Sequence, residues 1–272
     1  MSTHIPEHCE TCPVNPNAAL EKHGSSIATA SYVVALAGNP NVGKSTVFNQ
    51  LTGLRQHTGN WPGKTVVRAE GSFSYNGQRF RLVDLPGTYS LLSTSADEEV
   101  ARDFILFGKP DVTAIVVDAT RLERNLNLVL QVLEITDRAA VCLNLTDEAE
   151  RNGIIVDARS LSRDLGVPVV SAAARSGSGM SELVKVLYEV ATGAFVCKPK
   201  RFPLASKKLK AVEDLTRRVA KSFPHLPNAR WVALRLLEGD AHIAEAVRTG
   251  EIGDLARREK PVHKEEAHEG PK

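Results

Sequence analysis

The sequence lacks the features that mark secreted and membrane proteins. Its 272 residues contain only four cysteines, at positions 9, 12, 142 and 197, and so few and so unevenly spaced cysteines do not suit a disulfide framework. Residues 1–22 have no apolar core of the kind a secretory signal needs. The longest charge-free stretch, 24–43, is interrupted by Ser, Thr, Asn and Pro and does not suit a membrane span. These absences predict a soluble polypeptide of a reducing cytoplasm.

A strong excess of one charge is also missing. The formal net charge is +2, and 24% of the residues are charged against 42% hydrophobic. A surface dedicated to nucleic acid is therefore not expected, and no nucleic-acid partner is predicted. The length suits one domain of ordinary size with a smaller appendix.

One glycine-rich segment carries a specific signal. Residues 38–45 read Gly-Asn-Pro-Asn-Val-Gly-Lys-Ser, after an apolar run and before a helix-prone segment. In such a P-loop, Gly38 and Gly43 let backbone N–H groups approach a triphosphate, Lys44 reaches the β and γ phosphates, and the Ser45 hydroxyl joins a Mg²⁺ shell. The segment therefore predicts binding of a nucleoside triphosphate, the alternative being a purely structural turn.

A second motif, residues 144–147, reads Asn-Leu-Thr-Asp and follows an apolar run. Asp147 would accept hydrogen bonds from the N1–H and exocyclic amine of guanine, whereas Asn144 would contact N7 and tie this loop to the P-loop. Ser171 and Ala172 follow the next apolar run, and the Ala172 N–H is predicted to meet the guanine O6. Because adenine would leave the carboxylate unpaired, GTP is favoured over ATP. The alternative is a simple surface loop.

Two further segments are predicted to sense the γ-phosphate. Asp84 to Gly87, read Asp-Leu-Pro-Gly, would place the Asp84 carboxylate near the Mg²⁺ shell and the Gly87 N–H near the γ-phosphate. Thr65, at the end of Gly-Asn-Trp-Pro-Gly-Lys-Thr, is the candidate switch threonine that completes that shell. Loss of the γ-phosphate would release both loops.

The alternation of apolar and amphipathic segments predicts an α/β small-G-protein (P-loop NTPase) fold. The Asn76-Gly77 pair is a hairpin signal, so the mostly parallel sheet should contain one antiparallel strand. Strands are predicted at 32–37, 65–75, 78–84, 112–118, 139–143 and 168–171. Helices are predicted at 44–51, 96–106, 123–136, 157–165 and 178–190, followed by 204–223 and 231–237. The predicted organisation is a flexible tail (1–30), a G domain (31–195), a small all-α domain (196–259) and a second flexible tail (260–272).

Several of these segments together resemble the cytoplasmic G domain of the bacterial ferrous iron transporter FeoB. They are the P-loop, Gly-Asn-Trp-Pro-Gly at 59–63, Asp-Leu-Pro-Gly-Thr-Tyr-Ser-Leu at 84–91, and Asp-Ala-Thr at 118–120 leading to Leu-Glu-Arg-Asn-Leu at 122–126. Residues 231–240 resemble the helical domain that follows it, so the resemblance covers about 31–256. The resemblance implies a GTPase that drives or gates Fe²⁺ uptake at the inner face of the bacterial cell membrane.

The implied partners are a membrane-embedded Fe²⁺ permease domain, of the same chain or of a partner, small accessory regulatory proteins, and further copies of the chain in a homo-oligomer. Since the sequence stops in a polar tail, we expect the N-terminal part of a longer transporter or a separately encoded subunit. Two residues depart from the family pattern. Lys64 stands where an aliphatic residue is usual, and Leu145 replaces a methionine.

The hydrolytic mechanism is constrained by Thr88, which stands where Ras-like proteins carry a water-orienting glutamine, and by the lack of an identifiable arginine finger. The resemblance implies that K⁺ supplies the missing charge, held by Asn41 and by the carbonyls of Gly59 and Trp61. Slow, K⁺-stimulated hydrolysis is therefore expected. For Asn41, the alternative is a side chain that only stabilises a turn.

The predicted site can be given by role. The catalytic residues are Asn41, Lys44, Thr65 and Gly87; the Mg²⁺ ligands are Ser45, Thr65 and Asp84. The GTP-binding set is Gly38, Asn39, Asn41, Val42, Gly43, Lys44, Ser45, Thr46, Gly63, Thr65, Asp84, Gly87, Asn144, Asp147, Ser171 and Ala172.

The N-terminal His-Cys-Glu-Thr-Cys sequence offers Cys9 and Cys12 as a candidate Zn²⁺ or Fe²⁺ site. The alternative is an exposed tail with reactive thiols. Cys142 is expected in the core, Trp231 is expected to anchor the appendix, and Trp61 is expected in a mobile polar loop without a core role.

Two other function classes stay open from the residues alone. A ribosome-assembly GTPase resembling Era would need an RNA-binding module, and the appendix offers no Gly-x-x-Gly loop or interleaved aromatics. A non-catalytic switch would bind nucleotide and signal by shape, with hydrolysis incidental.

Overall fold

The computed structural model describes residues 30–54, 56–61, 64–92, 95–201 and 205–257. Seven strands form one sheet in the order β2-β3-β4-β1-β5-β6-β7. The strands are β1 (Tyr32–Gly38), β2 (Gln56–Asn60), β3 (Val67–Tyr75), β4 (Gln78–Asp84), β5 (Val112–Asp118), β6 (Ala139–Asn144) and β7 (Val169–Ser171). Strand β3 is antiparallel to both β2 and β4, whereas β4, β1, β5, β6 and β7 pair in parallel. The predicted mostly parallel sheet with one reversed strand is confirmed.

Helices cover both faces of the sheet. They are α1 (Lys44–Thr52), α2 (Ala96–Phe107), α3 (Leu122–Ile135), α4 (Thr146–Arg151), α5 (Ala158–Leu165) and α6 (Met180–Thr192), with a 3₁₀ turn at Ala119–Arg121. The strands β1, β5 and β6 are apolar along most of their length because helices shield both of their faces, and all six residues of β6 are buried.

Two hydrophobic layers result from this arrangement. On one face, α1 and α6 cover alternate residues of the central strands, such as Val34, Leu82 and Val116. On the other face, α2 and α3 cover the intervening residues of the same strands, such as Ala35, Val83 and Ile115. This period of two follows from the alternating directions of side chains along a strand.

Among the described residues, four helices follow the sheet domain: α7 (Ser206–Ser222), α8 (Ala229–Leu237), α9 (Ala241–Thr249) and α10 (Glu251–Arg257). Trp231 anchors them, with 2% of its surface exposed. Buried residues of this helical part, among them Val219, Ile243 and Ile252, belong to the same hydrophobic cluster as α2 and α3. The predicted all-α appendix is confirmed, and its core is continuous with one face of the sheet domain.

The structure corrects several predicted elements. Strand β2, helix α4 and helices α9 and α10 were not predicted, and strand β3 begins at Val67 rather than at residue 65. The edge of the sheet is therefore β2, not the hairpin strand. The segment of β2 reads Gln-His-Thr-Gly-Asn, and an edge strand of this polar composition carries no alternation of apolar residues that could reveal it.

Within the described ranges, no helix has the length and the apolar character that a membrane span requires. The predicted tails and the candidate site at Cys9 and Cys12 lie outside these ranges, and no group of three metal-binding side chains occurs inside them.

Candidate functional site

The P-loop connects the end of β1 to the start of α1, as its sequence predicts. Asn41 and Gly43 both have left-handed backbone conformations, with φ values of 66° and 81°. Glycine adopts this conformation without strain, and Asn adopts it more readily than other residues with a side chain. The sequence therefore suits this turn. At Gly38, an added Cβ would lie 2.7 Å from the carbonyl oxygen of Val116 on β5. This glycine is therefore required by the neighbouring strand, independently of any ligand.

Asn144 joins the P-loop to the loops on the other side of the site. Its side chain is 1% exposed. The Nδ2 atom donates to the Val42 carbonyl at 2.9 Å, and Oδ1 accepts from the Ala174 N–H at 3.0 Å. An added Cβ at Gly43 would collide with this same Nδ2. The predicted tie between the 144–147 motif and the P-loop is confirmed, and it explains why position 43 must be glycine.

Asp147 lies in α4, where it is available to solvent and hence to a base. Its side chain is 49% exposed, and the nearest cation is Arg151, whose Nη2 is 3.4 Å from Oδ2. Such an exposed i,i+4 pair is weak and can be displaced. The Thr146 hydroxyl donates to the Ala172 carbonyl at 2.9 Å, which holds the two predicted base-contact loops together.

The role predicted for the Ala172 N–H is corrected. This N–H donates to the Leu143 carbonyl at 2.8 Å, at the ends of β6 and β7. It is thus already used within the sheet, and a contact with the guanine O6 would require another donor. Ser171, one residue earlier, is exposed, whereas the Ala172 side chain is buried.

Lys44 and Asp84 form an ion pair at the mouth of the P-loop. Burial raises the pKa of Asp84 above its ordinary value, and the nearby Lys44 ammonium opposes that increase. The Ser45 and Thr46 side chains are exposed beside them at the start of α1. A hydroxyl and a carboxylate are hard oxygen ligands, so this donor set suits Mg²⁺.

The segment after β4 packs directly on the P-loop. A Cβ added at Gly87 would lie 3.5 Å from the Pro40 Cα, an ordinary contact distance. The Thr88 N–H donates to the Gly38 carbonyl at 3.3 Å, and its hydroxyl donates to the Ser90 carbonyl at 2.5 Å. The Thr88 hydroxyl is therefore engaged within its own turn.

The segment that carries Thr65 packs against α2 through Trp61 and Lys64. The burial of Trp61 differs from the prediction. The Trp61 ring is 9% exposed and packs edge-on against Phe104, with 5.3 Å between ring centroids. The Arg68 guanidinium lies 5.0 Å from the Trp61 ring centroid on another side. Trp61 is therefore a buried anchor, and the expectation that it has no core role is wrong.

The other residues predicted to belong to the switch are distributed around this anchor. Gly59 is part of β2, paired with Arg68 on β3, rather than in a loop. The Trp61 carbonyl accepts the Lys64 N–H at 3.0 Å, which leaves its second lone pair. The Thr65 side chain is exposed, and Gly63 lies outside the described residues.

Two contacts near this segment were missed by sequence reasoning. Lys64 Nζ lies 2.7 Å from Glu99 Oε2 on α2, and Arg124 of α3 lies over the Tyr89 ring at 4.5 Å from the centroid. Lys64 was noted only as a departure from a family pattern. No local signal identifies its partner, because 35 residues separate the two charges.

Comparison with known proteins decides the family. Residues 32–187 match the family model described as Ferrous iron transport protein B, and residues 207–269 match the FeoB cytosolic helical domain. The chain belongs to the FeoB family. The resemblance drawn from its motifs is thereby confirmed.

Comparison with relatives in the FeoB family shows what share of their length this chain covers. The Fe(2+) transporter FeoB of Escherichia coli (strain K12) is 42% identical over 213 residues, which are 77% of this chain and 27% of the relative. The FeoB relative of Shigella flexneri gives the same values. The chain thus spans about a quarter of the length of the curated relatives it matches.

A solved structure of the FeoB family supports the architecture. The cytosolic domain of T. maritima FeoB in GDP form I has a TM-score of 0.74 and 34% identity, over 85% of this chain and 94% of that one. The sheet domain followed by helices is therefore the arrangement of FeoB cytosolic domains. The predicted limits of 31–195 and 196–259 stay predictions.

Proposed function

We propose that the chain binds guanine nucleotides and hydrolyses GTP to GDP and phosphate. The observation that carries this proposal is the Asn144 side chain, which joins the P-loop carbonyl of Val42 to the Ala174 N–H. This contact connects the Asn-Leu-Thr-Asp motif to the P-loop, which supports a single site for base and phosphates. The T. maritima relative, solved in GDP form, supports the same assignment.

Each phosphate contact has a candidate donor on this chain. Lys44, paired with Asp84, would exchange this partner for the β and γ phosphates, and P-loop N–H groups would surround the β phosphate. The Gly87 N–H would bind the γ-phosphate. Bound Mg²⁺, held by Ser45 and Thr65 with Asp84 beside its shell, would neutralise charge on the phosphates. Asp147 would select guanine because its carboxylate accepts from N1–H and the exocyclic amine.

We propose further that hydrolysis depends on K⁺. Asn41 is exposed at the P-loop with a left-handed backbone, and the Trp61 carbonyl has a second lone pair. The Thr88 hydroxyl donates to the Ser90 carbonyl, and the sequence offers no identifiable arginine finger, so K⁺ would supply the stabilising charge. Gly59 lies in β2 and would contribute through its carbonyl group.

Steady-state hydrolysis tests both proposals. GTP and ATP turnover would be measured in KCl and in NaCl at equal ionic strength, for the parent chain and Asn41→Gly, which tolerates the left-handed backbone at this position. We expect GTP turnover that is about 100-fold faster in KCl, the lower end of the effect of a lost oxyanion donor. The Asn41→Gly chain should lose this stimulation while keeping GDP affinity.

Two outcomes would contradict the proposals separately. Equal GTP turnover in the two salts would remove K⁺ from the mechanism. Equal turnover of ATP and GTP would overturn the role of Asp147.

We also propose that this GTPase cycle drives or gates Fe²⁺ uptake by a membrane permease domain, which the Fe(2+) transporter relatives support. The test is uptake of radioactive Fe²⁺ by cells that produce the complete transporter, with and without Lys44→Ala in this segment. We expect uptake to fall to the level of cells lacking the transporter. Uptake unchanged by a variant that no longer hydrolyses GTP would refute the coupling.

A further inference from the structure

One carboxylate on α2 lies between the switch segment and the helical domain. Glu99 Oε2 pairs with Lys64 Nζ at 2.7 Å, and Glu99 Oε1 faces His242 Nε2 on α9 at 3.8 Å. The Glu99 side chain is 14% exposed, against 42% for Lys64 and 50% for His242. A single side chain therefore contacts two segments that are far apart in sequence.

The position of Glu99 in its helix suits this role. It lies in the acidic first turn of α2, which Ser95 caps by accepting the Glu98 N–H at 3.3 Å. The positive end of the helix dipole favours a carboxylate there. The hydrogen bond from Lys64 holds the pKa of Glu99 below its ordinary value, with further lowering by His242 and Arg102. Glu99 is thus held as an anion chiefly by Lys64.

The residue next to Lys64 is the switch threonine. Trp61 fixes one end of this segment on Phe104, and the Lys64 ion pair fixes a second point three residues later. The anchored Lys64 restricts the position of its neighbour Thr65. Restricting a catalytic group before it is needed lowers the entropy cost of positioning it.

We propose that Glu99 is a positioning residue for Thr65 and that it links the switch segment to the helical domain through Lys64 and His242. This proposal rests on the proposed GTPase function. Glu99 itself touches no reacting atom. It acts by holding Lys64 and thereby limiting where the Thr65 hydroxyl can be.

The test uses the full chain with Lys64→Met, Glu99→Gln, the double variant, Lys64→Arg and His242→Gln. Three quantities are measured: kcat for GTP, the Kd for GDP, and amide hydrogen exchange of peptides covering residues 59–67. The matched control is Glu189→Gln, which removes the carboxylate facing Lys185 at 3.9 Å on α6.

The expected result is a specific pattern of changes. Lys64→Met and Glu99→Gln each speed exchange and lower kcat by about two- to fivefold, the range for loss of a partly exposed ion pair. The double variant changes no more than Glu99→Gln, because that variant alone already removes the ion pair with Lys64. Lys64→Arg restores most of kcat, the Kd for GDP stays constant, and the control matches the parent.

His242→Gln tests the link to the helical domain. It should produce part of the same increase in exchange, since it removes the imidazole that faces Glu99 Oε1 at 3.8 Å. Exchange identical to that of the parent would refute this link.

Other outcomes test the positioning role of Glu99 separately from the proposed GTPase function. If the effects of Lys64→Met and Glu99→Gln multiply, or if exchange rises while kcat stays constant, the positioning role is wrong. If the parent itself does not hydrolyse GTP, the proposed function and with it the catalytic role fail, and exchange alone still decides whether Glu99 anchors the segment.

Discussion

The glycines of the site illustrate how one residue type serves different physical needs. Sequence reasoning assigned Gly38 and Gly43 to close approach of phosphate. The structure shows that the space of their missing Cβ atoms is already taken, by the Val116 carbonyl and by the Asn144 side chain. Gly87 differs, because a Cβ there would meet Pro40 only at an ordinary 3.5 Å. Packing therefore requires the first two, and ligand binding would require the third.

Substitution by Ala is expected to have different effects at Gly43 and at Gly87. Gly43→Ala strains a left-handed backbone and disturbs Asn144, so we expect about 1–3 kcal/mol lower stability and weaker binding of all guanine nucleotides. Gly87→Ala should leave the unfolding midpoint unchanged and lower kcat for GTP with little effect on GDP affinity. Urea unfolding and nucleotide titration measure both, and equal destabilisation by the two variants would contradict this distinction.

Asp147 offers a change of specificity. In Asp147→Asn, the amide can donate to the C2 oxygen of xanthine and still accept from N1–H, whereas guanine presents an amine at C2. We expect GTP affinity to fall about 100-fold or more, since hydrogen bonds to charged groups contribute about 1.5–3 kcal/mol each, and XTP to bind in its place. Competition with a fluorescent nucleotide measures this. Arg151→Ala is the control and should keep GTP affinity within about twofold.

Among the elements, β2 and the segment after it were the hardest to predict. An alternating apolar pattern identifies half-buried strands, but the Gln-His-Thr-Gly-Asn segment pairs at a sheet edge and buries little. The Asn144 and Asp147 loop, by contrast, follows a fully buried strand, and its place at the site could be predicted from that position. Trp61 could not be placed, because its burial depends on Phe104 of α2, which lies 43 residues further along the chain.

The anchoring of this segment predicts a difference between two Trp61 variants. Trp61→Ala removes the contacts with Phe104 and Arg68, and we expect a loss of about 1–3 kcal/mol, less than for a central core residue because the segment can detach by itself. Trp61→Phe keeps a ring on Phe104 and removes a buried indole N–H without a partner, so we expect a loss below about 1.5 kcal/mol. Urea unfolding followed by circular dichroism compares them, and equal losses would contradict the anchor.

In the molecule as a whole, one asparagine joins the two parts of the chain. Asn228 accepts the Trp231 N–H at 2.9 Å and thus caps α8. Its Nδ2 donates to the carbonyls of Glu134 and Ile135, at 2.9 and 2.7 Å, at the end of α3. The Arg230 ion pair with Glu134 lies beside this contact. The helical domain is therefore hydrogen-bonded to the helix end, in addition to sharing its hydrophobic cluster.

Asn228→Ala should consequently destabilise both parts together. Loss of the cap and of two bonds to α3 is expected to cost about 2–3 kcal/mol. Asn228→Ser retains the cap without reaching the α3 carbonyls, so about half of this loss should remain. Thermal unfolding with probes in each part measures it, and full recovery by Ser would show that only the cap matters.

The sequence by itself determined the P-loop, the base-reading motif, the alternation of strands and helices, and the family, because each depends on residues that are close together along the chain. Only the tertiary structure decided that Trp61 is buried, that the Ala172 N–H is used by Leu143, and that Glu99 lies between Lys64 and His242. These depend on contacts between distant segments, and such contacts are selected by the packing of the whole fold rather than by local spacing.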